Sequence, residues 1–457
     1  MREHTGKRSS FSGKIGFVLA AAGASVGLGN IWRFPYLAAK YGGGIFLLVY
    51  IVLAVTFGYT MIIAETALGR MTKKSPVSAF RSYGKKRWCQ FGGWINAVIP
   101  MLIVPYYSTI GGWVAKYLFE YLRGNAAEVA ADGYFSGFIS DGGSAEIWFL
   151  VFSAVVLIII FAGVRNGIER VSKFMMPILV VLAVVIAGYS MTREGALAGV
   201  KYFLIPNLED FSWMTVVSAM GQMFYSLSIA MGILITFGSY MKDDVAIEGA
   251  TVNVEFFDTA IAIMAGLMII PAVFAFSGGN PEALQAGPSL MFITIPKVFE
   301  SMGIATFIGS LFFLLVLFAA LTSAIALTES AVATVEDELG WDRKKATICV
   351  GLIIIVLGTL STLGYGPLSF IRILGMEFLD FFDFLTNSVM MPIAALITCV
   401  FVVRVVKLEK IAAEVQKSGA SFKRRRVFEF MIQYLCPFFV VIILLSSVAN
   451  VLGWISM

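Results

Sequence analysis

Residues 23–36 read Gly23-Ala24-Ser25-Val26-Gly27-Leu28-Gly29-Asn30-Ile31-Trp32-Arg33-Phe34-Pro35-Tyr36. They fall inside an apolar stretch that begins near Ile15 and is long enough to enter a bilayer, yet three glycines and the polar Ser25 and Asn30 interrupt it. In hydrocarbon every backbone polar group needs a partner, and a polar side chain is costly unless it serves a neighbour or a ligand. The stretch therefore reads as a membrane helix broken in its middle. It has no small-residue cleavage pattern and runs on through Gly42-Gly43-Gly44 into a second apolar stretch, so it is a span that stays rather than a signal peptide.

Working outward, the whole chain is of the same kind. Of its 457 residues 59% are hydrophobic and 14% charged, with a mean hydropathy of +0.86, whereas about 25% of residues are charged in soluble domains. About eleven stretches have the roughly 18 apolar residues a crossing needs. They begin near Ile15, Phe46, Trp94, Ile147, Pro177, Trp213, Ala246, Ile304, Ala346, Leu374 and Met431. The fold expected is all-α and integral to the membrane.

Basic residues cluster in alternate connections: Arg8, then Lys73, Lys74, Arg81, Lys85, Lys86 and Arg87, later Arg343, Lys344 and Lys345, and finally Lys423 to Arg426. The long connections around 124–145 and 277–302 are poor in them. The basic loops are expected to be cytoplasmic, which puts the N-terminus inside and, with an odd number of spans, the C-terminus outside. The same clusters account for the net charge of +5 without a nucleic-acid partner. Cys89, Cys349, Cys399 and Cys436 are too scattered for a disulfide framework or a zinc site.

A second interruption, Ser226-Leu227-Ser228-Ile229-Ala230-Met231-Gly232, falls five spans after the first. Polar, glycine-containing breaks at corresponding places in two halves are the sign of an inverted repeat whose discontinuous helices meet at a midplane site. The expectation is one transmembrane domain, 1–457, with a five-plus-five repeat (spans one to five over about 13–190, six to ten over about 213–406), broken first and sixth helices, and an eleventh span over about 428–455. Glycines also serve plain helix packing; Asn30, Ser226 and Ser228 favour a site.

The run Gly27 to Tyr36 resembles the neurotransmitter:sodium symporter family, in its bacterial amino-acid transporter branch with the leucine-transporter fold and eleven spans. The resemblance continues through Glu65-Thr66-Ala67-Leu68-Gly69-Arg70, Tyr106-Tyr107, Asn166-Gly167-Ile168-Glu169-Arg170, Gly221-Gln222 and Leu321-Thr322-Ser323-Ala324-Ile325-Ala326, covering nearly the whole chain. It implies a sodium-coupled symporter of a neutral, hydrophobic L-amino acid working by alternating access in the plasma (inner) membrane, surrounded by lipid, with the oligomeric state open. A sodium-independent exchanger of the same fold and a non-transporting amino-acid receptor are the alternatives. An enzyme is not expected, since the lone His4 lies in the tail and no nucleophile and base stand out.

By that resemblance two Na+ sites are implied. The first takes the carbonyl of Ser25, the side chain of Asn30, the hydroxyl and carbonyl of Ser226, an oxygen of Asp258, and the substrate carboxylate. The second takes the carbonyls of Gly23, Val26 and Ala319 with the hydroxyls of Thr322 and Ser323. Asn253 competes with Asp258 for the first; the two lie about 140° apart on a helix, so only one faces the site, and Asp258 is favoured. Tyr50 and Gln222 match chloride-ligand positions but Ala262 replaces a serine or glutamate, and chloride independence is expected.

Gly27 stands where monoamine carriers place an aspartate, which favours an amino acid. Its pocket is expected to be lined by Ala24, Ser25, Gly29, Ile103, Tyr107, Tyr225, Ser226, Ser228, Met231, Ser323 and Leu327, with the methyl of Ala230 narrowing it where glycine is common. Arg33 and Asp383, with Gln222 nearby, match the outer gate; Arg8 and Asp337, with Tyr240, match the inner one. Gly167 and Pro177 match the spacing of a fifth span that unwinds to admit water to the second ion site.

Overall fold

The computed structural model describes residues 9–280, 283–284 and 287–451. In chain order the principal helices are α1 (Lys14–Ser25), α2 (Gly29–Lys40), α3 (Gly44–Thr72), α4 (Arg87–Leu122), α5 (Gly142–Phe161), α6 (Val164–Met191), α7 (Trp213–Ser226), α8 (Ile233–Tyr240), α9 (Ile247–Ser277), α10 (Ala305–Leu339), α11 (Arg343–Leu363), α12 (Phe378–Val406), α13 (Leu408–Gln416) and α14 (Arg425–Asn450). Among the described residues, nine of these are long and apolar enough to cross a membrane, and the bent pair α1–α2 brings the number to ten. The crossing expected at Trp213 takes the form of two helices, α7 and α8, of 14 and 8 residues. Neither spans about 30 Å alone at 1.5 Å per residue.

The breaks follow from local chemistry. Val26 leaves helical space at the end of α1 (φ −75°, ψ 91°), and α2 departs at 54° to α1. At the other break Ser226 ends α7, and the chain turns through Ser228 and Ala230, both at positive φ (54° and 59°), before Gly232 (φ 69°) opens α8. Upstream, α7 is started by a capping box in which the Ser212 hydroxyl accepts from the Thr215 N–H while the Thr215 hydroxyl accepts from the Ser212 N–H, at 3.1 and 3.2 Å.

Hydropathy placed the start of the fifth span at Pro177, but α6 begins at Val164 and holds Pro177 inside it. The polar stretch Arg165–Lys173 lowers the apolar signal without ending the helix; within it Glu169 pairs with Lys173 and Ser12. The helix expected from Trp94 likewise begins earlier, at Arg87.

Packing is set by glycines that let backbones approach. A Cβ on Gly69 of α3 would lie 1.9 Å from the Ile235 carbonyl, and one on Gly238 of α8 would lie 2.4 Å from that of Thr66, so α3 and α8 touch backbone to backbone. In α4, Gly112 rests on the backbone of Phe149, and α10 runs along α4. The outward faces of α5, α6, α11 and α14 expose Ile147, Ile158, Phe174, Val181, Leu352, Phe438 and Leu445, the belt that hydrocarbon covers.

Candidate functional site: two oxygen clusters beside a small cavity

Both breaks face one another, and two groups of oxygens form there. In the first, Asp258 of α9 is fully buried. Its Oδ1 accepts from Asn30 Nδ2 at 2.9 Å and from the Ser226 hydroxyl at 2.7 Å, and its Oδ2 accepts from the Tyr50 hydroxyl at 2.8 Å. Asn30 Oδ1 accepts from the Gly27 N–H at 3.2 Å, which ties the cluster to the first break. Asn253 is only half-buried, so of the two competing residues it is Asp258 that the fold brings to Asn30 and Ser226. Gln222 donates to the Gly29 carbonyl at 3.0 Å.

The second group joins α1 to α10. The Ser323 hydroxyl lies 3.3, 3.1 and 3.4 Å from the carbonyls of Gly23, Ala24 and Val26, and the Thr322 hydroxyl lies 3.1 Å from that of Ala319. A Cβ at Gly23 would come to 3.1 Å from Thr322 Cβ, so glycine is what allows the two helices to meet there. All five residues expected at a second ion site are thus neighbours.

Between the two groups is a cavity lined by Ala24, Ser25, Gly27, Leu28, Gly29, Asn30, Ile103, Tyr107, Tyr225, Ser226, Ser228, Met231, Ser323 and Leu327. It leaves about 30 Å³ for the centre of a water-sized sphere, room for roughly two waters at about 10–15 Å³ each. All eleven residues expected around a substrate line this one cavity. Ala230 does not; its N–H points to Glu65 of α3, donating to Oε1 at 2.8 Å, so its methyl is not the wall that narrows the pocket. At Gly27 a Cβ would lie 2.7 Å from the Ser323 hydroxyl and 3.0 Å from that of Tyr107. No acidic side chain fits where monoamine carriers have one.

Tyr225 rests on Gly29, where a Cβ would meet its ring at 2.6 Å, and the Arg33 guanidinium sits over the ring, 5.5 Å from its centroid. Beyond this ring is an outer cavity of about 380 Å³ that Arg33, Asp383, Tyr106, Tyr107 and Tyr225 share in lining. Arg33 and Asp383 form no direct ion pair; Asp383 accepts from Tyr106 at 3.1 Å and Asn387 at 2.5 Å.

On the side expected to be cytoplasmic, Arg8 lies outside the described residues. Asp337 accepts from the Ser75 N–H at 2.6 Å. Tyr240 donates to Glu329 at 2.7 Å, and the fully buried Glu329 is gripped by Arg343 Nη1 and Nη2 at 3.0 and 2.5 Å. Sequence reasoning missed Glu329, and read Arg343 only as a topology signal; an acid at the centre of an apolar run was the clue, since a buried carboxylate requires a partner. Nearby, Arg70 is fully buried and donates to Glu414 Oε1 at 2.6 Å and to the Val245 carbonyl at 2.5 Å. Beside it Asp243, in the turn after α8, takes hydrogen bonds from Lys417 and Lys73, at 2.9 and 3.0 Å, which push its pKa down to about 2.

Comparison with known proteins adds the following. The model of the "Sodium:neurotransmitter symporter family" matches residues 8–132 and 133–454. The chain is 33% identical over 455 residues to the sodium-dependent transporter YhdH of Bacillus subtilis (strain 168), covering 98% of this chain and 99% of that one. It is 27% identical over 409 residues to the sodium- and chloride-dependent glycine transporter 2 of Xenopus laevis, covering 72% of this chain and 51% of that one. Among solved structures, MhsT in complex with L-phenylalanine superposes with a TM-score of 0.86 at 36% identity, covering 96% of this chain and 100% of that one.

Proposed function

The chain belongs to the sodium:neurotransmitter symporter family, a multi-pass membrane transporter that uses sodium, and from that premise we propose that it carries a neutral, hydrophobic L-amino acid inward with sodium by alternating access. The observation that carries this reading is the placement of the small cavity between two oxygen clusters, one drawn from both helix breaks and the other from the first break and α10. The substrate carboxylate meets the first cluster and Tyr107, and its ammonium meets carbonyls at the helix ends, as the half-helix dipoles favour. Ile103, Met231, Leu327 and the two tyrosine rings leave the side chain an apolar berth. L-phenylalanine in the similar MhsT structure supports the same class.

The two sodium ions take the ligands described: Ser25, Asn30, Ser226 and Asp258 in one site, Gly23, Val26, Ala319, Thr322 and Ser323 in the other. The carboxylate of Asp258 supplies the negative charge that chloride would otherwise bring, and Tyr50 and Gln222 are already bonded to Asp258 and Gly29, which supports chloride independence. Tyr225 with Arg33 and Asp383 closes the outer side. The inner side closes through Asp337 and Tyr240, the latter bonded to Glu329. We place the protein in the plasma membrane with its N-terminus inside and C-terminus outside, residues 13–190 and 213–406 forming the two repeats.

The test is uptake of a radiolabelled amino-acid pool into liposomes holding the purified protein, with an inward sodium gradient against potassium. Uptake that requires sodium, and survives replacement of chloride by gluconate, is the expected result. Uptake indifferent to sodium overturns the ion-site assignments.

A further inference from the structure

Ser12 ties the segment before α1 to the start of α6. Its N–H donates to Glu169 Oε2 at 2.8 Å, its hydroxyl donates to Glu169 Oε1, and its carbonyl accepts from Lys242 at 2.8 Å. Lys173, one turn along α6, donates to Glu169 Oε1 at 2.5 Å and reaches the Ser12 hydroxyl at 3.1 Å. Glu169 itself is 2% exposed and fills a notch left by a glycine. A Cβ on Gly16 would lie 2.4 Å from its Oε1 and 2.5 Å from its carboxyl carbon. Next to this, the Phe11 N–H donates to the Tyr240 carbonyl at 3.1 Å, and its ring packs edge-on against Phe17, Phe237 and Tyr240. The entrance to α1 is thus held on two sides, to the Glu169 carboxylate near the start of α6 and, through the Ser12 carbonyl and the Phe11 N–H, to the exit from α8.

Two turns along α1 from Gly16 is Gly23, about 10 Å away, where a Cβ would meet Met176 of α6 at 3.5 Å on one side and Thr322 on the other. The α1–α6 contact from Gly16 and Glu169 to Gly23 and Met176 is thus the wall between the second oxygen cluster and the expected cytoplasmic side. We propose that Glu169 is a latch on that wall: it positions the entrance of α1 against α6 and so sets how often the second cluster opens inward. The proposal rests on the alternating-access reading above and adds to it a holding point on α6, separate from Asp337 on α10. Hydrogen bonds to an ionised group are stronger than neutral ones, and the whole set breaks in a single separation. Its loss is expected to raise the open-to-closed ratio about tenfold.

The experiment is pulsed dipolar electron spin resonance on the full chain in lipid nanodiscs, with spin labels at Ser10→Cys and Asn166→Cys, both exposed in the parent, and Cys349 replaced by alanine; the other three cysteines are buried. Distances are recorded with and without sodium for the parent and for Glu169→Ala, Gly16→Ala, Glu169→Gln and the double Gly16→Ala/Glu169→Ala. The parent is expected to give a narrow short distance that sodium favours. Glu169→Ala and Gly16→Ala, on different helices, should each add a longer population of similar size, and the double variant should show no more than either alone, because both release one latch. Glu169→Gln keeps an oxygen for the Ser12 N–H, so it should shift the ratio by only about threefold; it also serves as the well-folded reference. Parent-like distances in Glu169→Ala, or additive effects in the double variant, overturn the latch. Parent distances that ignore sodium overturn the sodium-coupled reading instead, and the comparison among variants still decides the latch.

Discussion

The carboxylate of Asp258 and the hydroxyl of Ser226 meet at 2.7 Å, one from the middle of an unbroken helix and the other from the last residue before a break. Asn30, from the opposite break, completes the contact on the same oxygen. A single side chain thus holds both discontinuous helix pairs together. Asp258→Ala removes the shared acceptor of the Asn30 amide and the Tyr50 and Ser226 hydroxyls, leaving Asn30 and Tyr50 only longer contacts of 3.4 and 3.3 Å, at a cost of about 1–3 kcal/mol for each buried group left unsatisfied. The expected outcome is a sodium affinity weakened at least tenfold in a sodium-dependent ligand-binding assay, with Asn253→Ala close to the parent. Equal effects of the two substitutions would reverse the assignment.

Gly27→Ala places a methyl against two hydroxyls. Because overpacking costs about 1–3 kcal/mol and here falls on the cavity wall, uptake should drop more than tenfold while the protein still purifies as a stable species. Gly221→Ala, where nothing lies within 4 Å of the added carbon, is the matching control and should transport normally.

Arg70 and Glu414 make a buried ion pair, and removing one member strands the other. Glu414→Ala is expected to destabilise the detergent-solubilised protein by about 3–5 kcal/mol, visible as a large fall in melting temperature. Arg81→Ala, whose pair with Glu338 is partly exposed, should cost less than about 1 kcal/mol.

Asp243 gives a pH signature. Its folded pKa, about 2, is below the ordinary aspartate value of 3.8, so the contribution of Lys417 and Lys73 is fully present above about pH 4 and disappears as the pH falls from there towards 2. The site is largely open to solvent, so salt should weaken it as well. Asp243→Asn is expected to lower the melting temperature slightly at pH 7 in low salt, and the gap to the parent should narrow on acidification to pH 3, close towards pH 2, and shrink in 1 M salt.

The breaks were legible in the sequence because membrane burial makes polar and glycine residues conspicuous: Ser25, Asn30, Ser226 and Ser228 stood out against apolar neighbours, and the structure brings all four to one cavity. Helix geometry alone showed that only one of Asn253 and Asp258 could face the cluster; the preference for Asp258 came from the family resemblance. Less could be read of groups whose partners come from distant segments. Glu329 and Arg343 are 14 residues apart and separated by a helix end, and a charge count sees only a loop signal there. The start of α6 was misplaced because Arg165, Glu169 and Arg170 look like a connection until Ser12, more than 150 residues earlier, is seen to occupy Glu169. Ala230 was read as a wall of the pocket, but the left-handed turn directs its backbone to Glu65, which no periodicity reveals.

That turn also marks where a sturdier protein could be sought. Two residues with side chains, Ser228 and Ala230, hold φ of 54° and 59°, a conformation that costs a non-glycine residue about 1–2 kcal/mol. Glycine at position 230 would remove that strain while giving back about 0.4–1 kcal/mol through the greater freedom of the unfolded chain. Ala230→Gly should therefore raise stability by up to about 1.6 kcal/mol, and a calorimetric scan measures it. If the hardened variant turns over more slowly, the tension in the second break is something the working cycle draws upon each time the helices exchange position.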